Sequence, residues 1–141
     1  MTTPVQQQQS ASAAVVNVVG FDHLVLRCSD VEAALRFYGD TLGLTLERVA
    51  AWRAGQVPFP SVRIDATTII DLLAAARGEG QNVDHLCLVV EPGTDLAALA
   101  GSGAVQVVEG PAQRWGAQGM ATSLYVRDPD ANVVELRAYE A

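Results

Sequence analysis

Residues 21–26 read FDHLVL and residues 83–88 read VDHLCL. The shared pattern, apolar-Asp-His-Leu-x-Leu, sets His23 and His85 62 positions apart in two strand-like runs. The far ends of the halves repeat too. Ile69-Ile70-Asp71-Leu72 matches Val133-Val134-Glu135-Leu136, with Asp71 and Glu135 64 positions apart. Two matches at nearly one offset point to an internal duplication, which maps residues onto equivalent places in space.

The stretches between these ends read alike. After the first histidine strand, Asp30 can cap a helix over 31–43, where Val31, Ala34, Leu35, Tyr38 and Leu42 fall at helical spacing and Gly43 supplies the stop. Apolar, β-branched runs predict strands at 44–52, 59–65 and 67–74, punctuated by Gly55, Pro58 and Pro60. In the second half, Thr94 or Asp95 caps a shorter helix over 95–103. Strands follow at 104–109, 121–128 and 132–139, the last two joined by the turn DPDAN at 128–132. Each half is strand, helix, three strands. The predicted fold is α+β: two paired βαβββ modules, about 19–75 and 82–140, in one domain spanning 18–141. A four-stranded sheet covered on one side by its helix leaves the other face free, and two such faces side by side curl into a cup-shaped mixed sheet.

Composition narrows the function. A chain of 141 residues, half of them apolar, has the size of one domain with its own core. Residues 1–17, rich in glutamine and serine, lack the basic start of a secretory signal and read as a disordered leader. Charges at Arg27, Asp71 and Glu91 interrupt the apolar runs before any reaches the length of a membrane span. A net charge of −7 with only nine Lys and Arg argues against nucleic acid as a partner. Cys28 and Cys87 each fall in a strand expected to be buried, and read as small core residues rather than a disulfide or activated thiolates. A reducing cytoplasm is the expected setting. The absence of GxGxxG, a phosphate loop and a nucleophile elbow argues against nucleotide-dependent and serine-based chemistry.

Two neutral imidazoles and a carboxylate suit a divalent ion such as Fe(II), Mn, Ni, Co or Zn, and three protein ligands leave positions for water and substrate. His23, His85 and Glu135 are the candidates. Asp71, equivalent to Glu135, is a fourth ligand or a base beside the metal. A strand histidine is commonly a satisfied core residue and a strand acid commonly faces water. Against that, the chain's two histidines occupy equivalent repeat positions, and the two acids do likewise. Tyr125 and Arg127, two apart and hence on one strand face, are further candidates to meet a substrate oxygen; the competing reading is a tyrosine at the sheet edge and a solvated arginine. RWGAQGM at 114–120 reads either as a flap over the cup, with Trp115 as lid, or as a plain surface loop.

FDHLVLRCSDVEAALRFYGDTLGL, VDHLCLVV and EGPAQRWGAQGMATSLYVRDPDANVVELRAY, together spanning about 19–140, resemble the vicinal oxygen chelate superfamily. That group contains glyoxalase I, methylmalonyl-CoA epimerase, fosfomycin-resistance proteins, extradiol dioxygenases and bleomycin-resistance proteins. The last segment is the most diagnostic, with Ala131 where Asp-Pro-Asp-Gly-Asn has its glycine. The resemblance implies paired βαβββ modules around one divalent ion, with His23, His85 and Glu135 at the family's ligand positions. Asp71 stands where glyoxalase-like members have Glu and epimerase-like members Gln. It implies a homodimer acting on a small oxygen-chelating substrate. The glyoxalase and epimerase branch implies proton transfer, a lyase or isomerase reaction with Glu135 or Asp71 as base. The extradiol dioxygenases, with Fe(II), share the two histidines, the glutamate and a tyrosine ten residues before it, here Tyr125; their additional second-shell histidines have no counterpart. A non-catalytic drug- or metabolite-binding protein of the bleomycin-resistance type is the third reading.

Overall fold

Strand order makes the duplication visible. The computed structural model describes residues 19–81 and 83–140, so the leader expected at 1–17 lies outside the described residues. The first half runs β1 (His23–Cys28), α1 (Val31–Leu35) with a π-helical continuation over Arg36–Thr41, β2 (Thr45–Glu47), α2 (Val49–Arg53), β3 (Ser61–Asp65) and β4 (Thr68–Ala74). The second runs β5 (Leu86–Val89), α3 (Leu96–Gly101), β6 (Gln106–Gly116), β7 (Gly119–Arg127) and β8 (Val133–Ala138). Each half forms a four-stranded sheet, ordered β1-β4-β3-β2 and β5-β8-β7-β6. The first strand of each pairs in parallel with the last, and the remaining pairs are antiparallel. This is the α+β arrangement expected from two βαβββ halves.

The caps work as the sequence suggests. Asp30 accepts from the Ala33 N–H at 3.1 Å, and Asp95 from the Ala98 N–H at 2.9 Å. Gly43, at φ 75°, follows the π-helical turn and its N–H closes on the Gly39 carbonyl.

Period-2 alternation decides what each sheet buries. Ile70 and Leu72 of β4 and Val134 and Leu136 of β8 join one hydrophobic core with Val31, Leu35, Tyr38 and Leu96 of the helical segments. Asp71 and Glu135 therefore lie on the opposite faces of their strands, turned away from that shared core. The halves are also joined by polar contacts: Asp130 of the 128–132 turn accepts from the backbone N–H and hydroxyl of Ser29 at 2.9 and 2.6 Å.

Three local expectations change. The run 44–52 is a strand only over Thr45–Glu47; Val49–Arg53 is helical, with Val49 and Trp52 packed on the core at helical spacing. Residues 114–120 are neither flap nor plain loop, because the β6–β7 ladder continues through them to Gly116 opposite Gly119, leaving Trp115 74% exposed on the hairpin. Cys28 is buried as expected, whereas Cys87 is exposed, because its strand turns that position to the face carrying Glu135.

Candidate metal centre

Parallel pairing brings one imidazole and one carboxylate onto the same face of each sheet. In the second half, Cys87 lies opposite Glu135 in register, and His85, two residues earlier, points Nε2 at Glu135 Oε1 across 3.0 Å. In the first half, Val25 lies opposite Asp71, with His23 two residues earlier.

Each histidine is held from behind by the residue before it. Asp22 Oδ2 lies 2.7 Å from His23 Nδ1, and Asp84 Oδ2 lies 2.7 Å from His85 Nδ1. A carboxylate on Nδ1 favours the proton there and leaves the Nε2 lone pair to face a cation. The hydrogen bond that His23 Nδ1–H donates to Asp22 raises the His23 pKa, and the charge of Asp71 adds to that rise against partial desolvation.

The acids are backed by hydroxyls. Asp71 is buried and its Oδ1 accepts from Ser61 Oγ at 2.6 Å. Glu135 Oε2 accepts from Ser123 Oγ at 2.6 Å and from Arg137 Nη1 at 2.8 Å, leaving Oε1 to His85. Burial pushes the Glu135 carboxyl up, but hydrogen bonds from Ser123, Arg137 and Tyr125 outweigh it and hold the group below its ordinary value. In the Nδ1–H tautomer, His85 Nε2 and an ionised Glu135 Oε1 are two acceptors facing each other, an arrangement that calls for a proton or a cation between them. An imidazole and a carboxylate are donor types that divalent ions take, and this half supplies one of each.

Tyr125 lies directly opposite Glu135 in the β7–β8 register, its ring edge-on to His85 at 5.3 Å between centroids. Arg127, by contrast, donates to the Ala131 carbonyl at 3.0 Å and braces the 128–132 turn. Sequence reasoning passed over Asp22, Asp84, Ser61, Ser123 and Arg137. For the aspartates a signal was present, since each histidine of the repeat directly follows one.

The expected four-residue set is split. Among the described residues, no three His, Cys, Asp or Glu side chains come together in a way that could hold a metal ion. His23 and Asp71 belong to one half and His85 and Glu135 to the other, and the shared core turns the two acid-bearing faces away from itself.

A family model for the Glyoxalase/Bleomycin resistance protein/Dioxygenase superfamily matches residues 20–136. The chain belongs to this superfamily. Superfamily relatives include the Glyoxalase domain-containing protein RDO1 of Mycosarcoma maydis, 32% identical over 149 aligned positions that cover 97% of this chain and 76% of that one. The crystal structure of Virulence protein STM3117 from Salmonella typhimurium superposes with a TM-score of 0.61 at 27% identity, covering 89% of this chain and 99% of the other. A glyoxalase/dioxygenase from Nostoc punctiforme shares the fold at a TM-score of 0.71 and 20% identity, covering 95% of this chain and 100% of that one. The superfamily match spans both halves, so the histidine and acid pairs of each fall within it.

Proposed function

We propose that this superfamily member is a divalent-metal-dependent enzyme of the glyoxalase-like type, a lyase or isomerase that moves a proton on a small substrate carrying adjacent oxygens. The observation that carries this reading is the paired one. Each half sets an imidazole, its Nδ1 held by an aspartate, on the face of a buried acid backed by a serine. His23, His85 and Glu135 would hold the ion, with Asp71 as fourth ligand or as base. Fe, Ni, Zn, Co and Mn all suit these donors. The ion, when bound, supplies positive charge against the negative charge that develops on substrate oxygens. The Tyr125 hydroxyl, on the Glu135 face, is placed to orient a substrate oxygen, and Asp71 or Glu135 takes up and returns the proton.

One chain keeps its two pairs apart, so we place the working site between His23 and Asp71 of one protomer and His85 and Glu135 of the partner subunit. Apolar surface supports this choice. Val25, two residues from His23, and Val89, four from His85, are exposed on the acid-bearing faces, with Phe21 and Val83 beside them. A two-fold homodimer would cover both faces and form two sites. The two cysteines are unpaired and no helix of the described residues is long and apolar enough to cross a membrane, in keeping with a cytoplasmic setting. The net charge of −7 speaks against nucleic acid as partner.

A second reading, a ring-cleaving dioxygenase with Fe(II), is favoured by Tyr125 lying opposite Glu135 and edge-on to His85. Elemental analysis of tag-free protein separates the readings. Ni, Zn or Co at one ion per chain directs assays to isomerase and lyase substrates, and Fe directs them to catechols and oxygen uptake. No ion, even after reconstitution with each metal, overturns the enzyme proposal in favour of a non-catalytic drug- or metabolite-binding cup.

Subunit mixing tests the shared site. His23→Ala and His85→Ala chains each lose the ion alone. In a mixed dimer one of the two sites draws intact residues from both chains, so equal mixing after dissociation restores about a quarter of wild-type metal content. No recovery from dimers shown to have exchanged overturns the shared-site proposal.

A further inference from the structure

We infer that Arg137 is the positioning residue for Glu135, holding that carboxylate so that a single oxygen, Oε1, is offered to the metal; this rests on the metal reading above. Arg137 is 3% exposed and sits two residues from Glu135 on the same face of β8. Its Nη1 donates to Glu135 Oε2 at 2.8 Å and to Ser123 Oγ at 3.1 Å, while Ser123 Oγ donates to the same Oε2 at 2.6 Å. One oxygen of Glu135 is thereby saturated and the other faces His85 Nε2. The remaining arm reaches the β6–β7 hairpin, where Nη2 donates to the carbonyls of Arg114 at 2.7 Å and Gly119 at 2.8 Å.

The guanidinium is fitted to this place. It lies against the Tyr139 ring, 4.9 Å from its centroid. A Cβ added at Gly116 would come within 2.5 Å of Cζ and 2.6 Å of Nε, so a side chain at 116 would have to displace the guanidinium or the hairpin. Nε is buried without a hydrogen-bond partner. A buried arginine that leaves a donor unsatisfied to keep its fork on one carboxylate and two backbone carbonyls is a directional clamp. The first half has no such device. The repeat offset puts Leu73 where Arg137 stands, and Asp71 is held by Ser61 alone among the described hydrogen bonds. The two acids of the duplication are thus unlike: Glu135 is held by a serine and by an arginine tied to a hairpin, whereas buried Asp71 is held by a serine.

Titration of the metal-free full-length chain with Co(II), followed by calorimetry and by the visible absorption of the bound ion, tests this. Arg137→Leu is expected to weaken Co(II) binding by about 10–100-fold and to alter the spectrum. Arg137→Lys, which keeps the charge but cannot span both carbonyls, recovers part of the affinity. Gly116→Ala, which pushes on the guanidinium without removing it, should act in the same direction, as should Ser123→Ala. Tyr38→Phe, which loosens the fold away from this face, should lower the melting temperature and leave affinity and spectrum unchanged. If Arg137→Leu does not fold, Gly116→Ala and Ser123→Ala carry the test. Folded variants with wild-type affinity and spectrum overturn the role of Arg137 and leave the metal reading standing. A wild-type chain that binds neither Co(II) nor, in the same titration, Fe(II), Ni(II), Zn(II) or Mn(II) overturns both.

Discussion

Tyr38 donates its hydroxyl to Asp128 Oδ2 at 2.7 Å, joining the first helical segment to the turn before the last strand. Both residues are buried. Asp128 also collects the backbone N–H groups of Asp130 and Asn132 at 2.9 and 2.8 Å and the Asn132 side-chain amide at 2.9 Å. The DPDAN segment, singled out in the sequence for its turn residues, is thus a clasp between the halves. Tyr38→Phe removes one donor from a buried carboxylate and is expected to cost about 1–3 kcal/mol, read as a lower urea midpoint with unchanged slope. An unchanged midpoint would mean that water replaces the hydroxyl without loss.

Ala131 sits in the same clasp at φ 63°, the left-handed region that disfavours a Cβ. Ala131→Gly relieves that strain but loosens the unfolded chain, and the first effect wins where φ is positive. A gain of about 1 kcal/mol is expected, seen as a melting point a few degrees higher. A lower melting point would show that the turn conformation is not strained.

Acid stability follows from Glu135, whose folded-state pKa lies below the ordinary 4.5. The unfolded chain then binds more protons than the folded one through that interval. The stabilisation is fully present above about pH 4.5 and is lost as pH falls through the lower folded value. Glu135→Gln should cost the metal-free protein about 3 kcal/mol at neutral pH, because Arg137 loses its buried counter-charge. It should also flatten the dependence of unfolding free energy on pH below about 4.5. Parallel curves for variant and wild type would count against this assignment.

The two thiols report on the faces. Burial pushes Cys28 up to about 12, and burial together with the charge of Glu135 pushes Cys87 up to about 11. Cys28 should resist iodoacetamide until the chain unfolds. Cys87, exposed and opposite Glu135, should be labelled slowly in the metal-free chain and more slowly still once Co(II) is bound. Peptide mass spectrometry reads both rates, and indifference of Cys87 to metal would place it outside the site.

Local patterns were legible in the sequence because they depend on neighbours along the chain. The Asp30 and Asp95 caps, the Gly43 stop and the strand–helix–three-strand order of each half follow from spacing and side-chain chemistry. The duplication also assigned His23, Asp71, His85 and Glu135 to equivalent places before any packing was known. The helix at Val49–Arg53 was misread because a short apolar run has no clear period until its neighbours choose which side chains to bury. Likewise, Cys87 and Arg137 differ in burial although both lie on the Glu135 face. Hairpin β6–β7 covers the arginine, whereas Cys87 stays exposed among the described residues.

Sequence by itself determined the two modules and the residues that each sheet turns to the same side as its acid, since strand alternation is a property of the backbone. Tertiary structure alone decided that both modules spend their apolar faces on one shared core, which keeps the pair His23 and Asp71 apart from the pair His85 and Glu135 in a single chain. Alternation tells which residues share a face; which faces meet depends on how whole sheets and helices pack, a choice made by contacts distant in sequence.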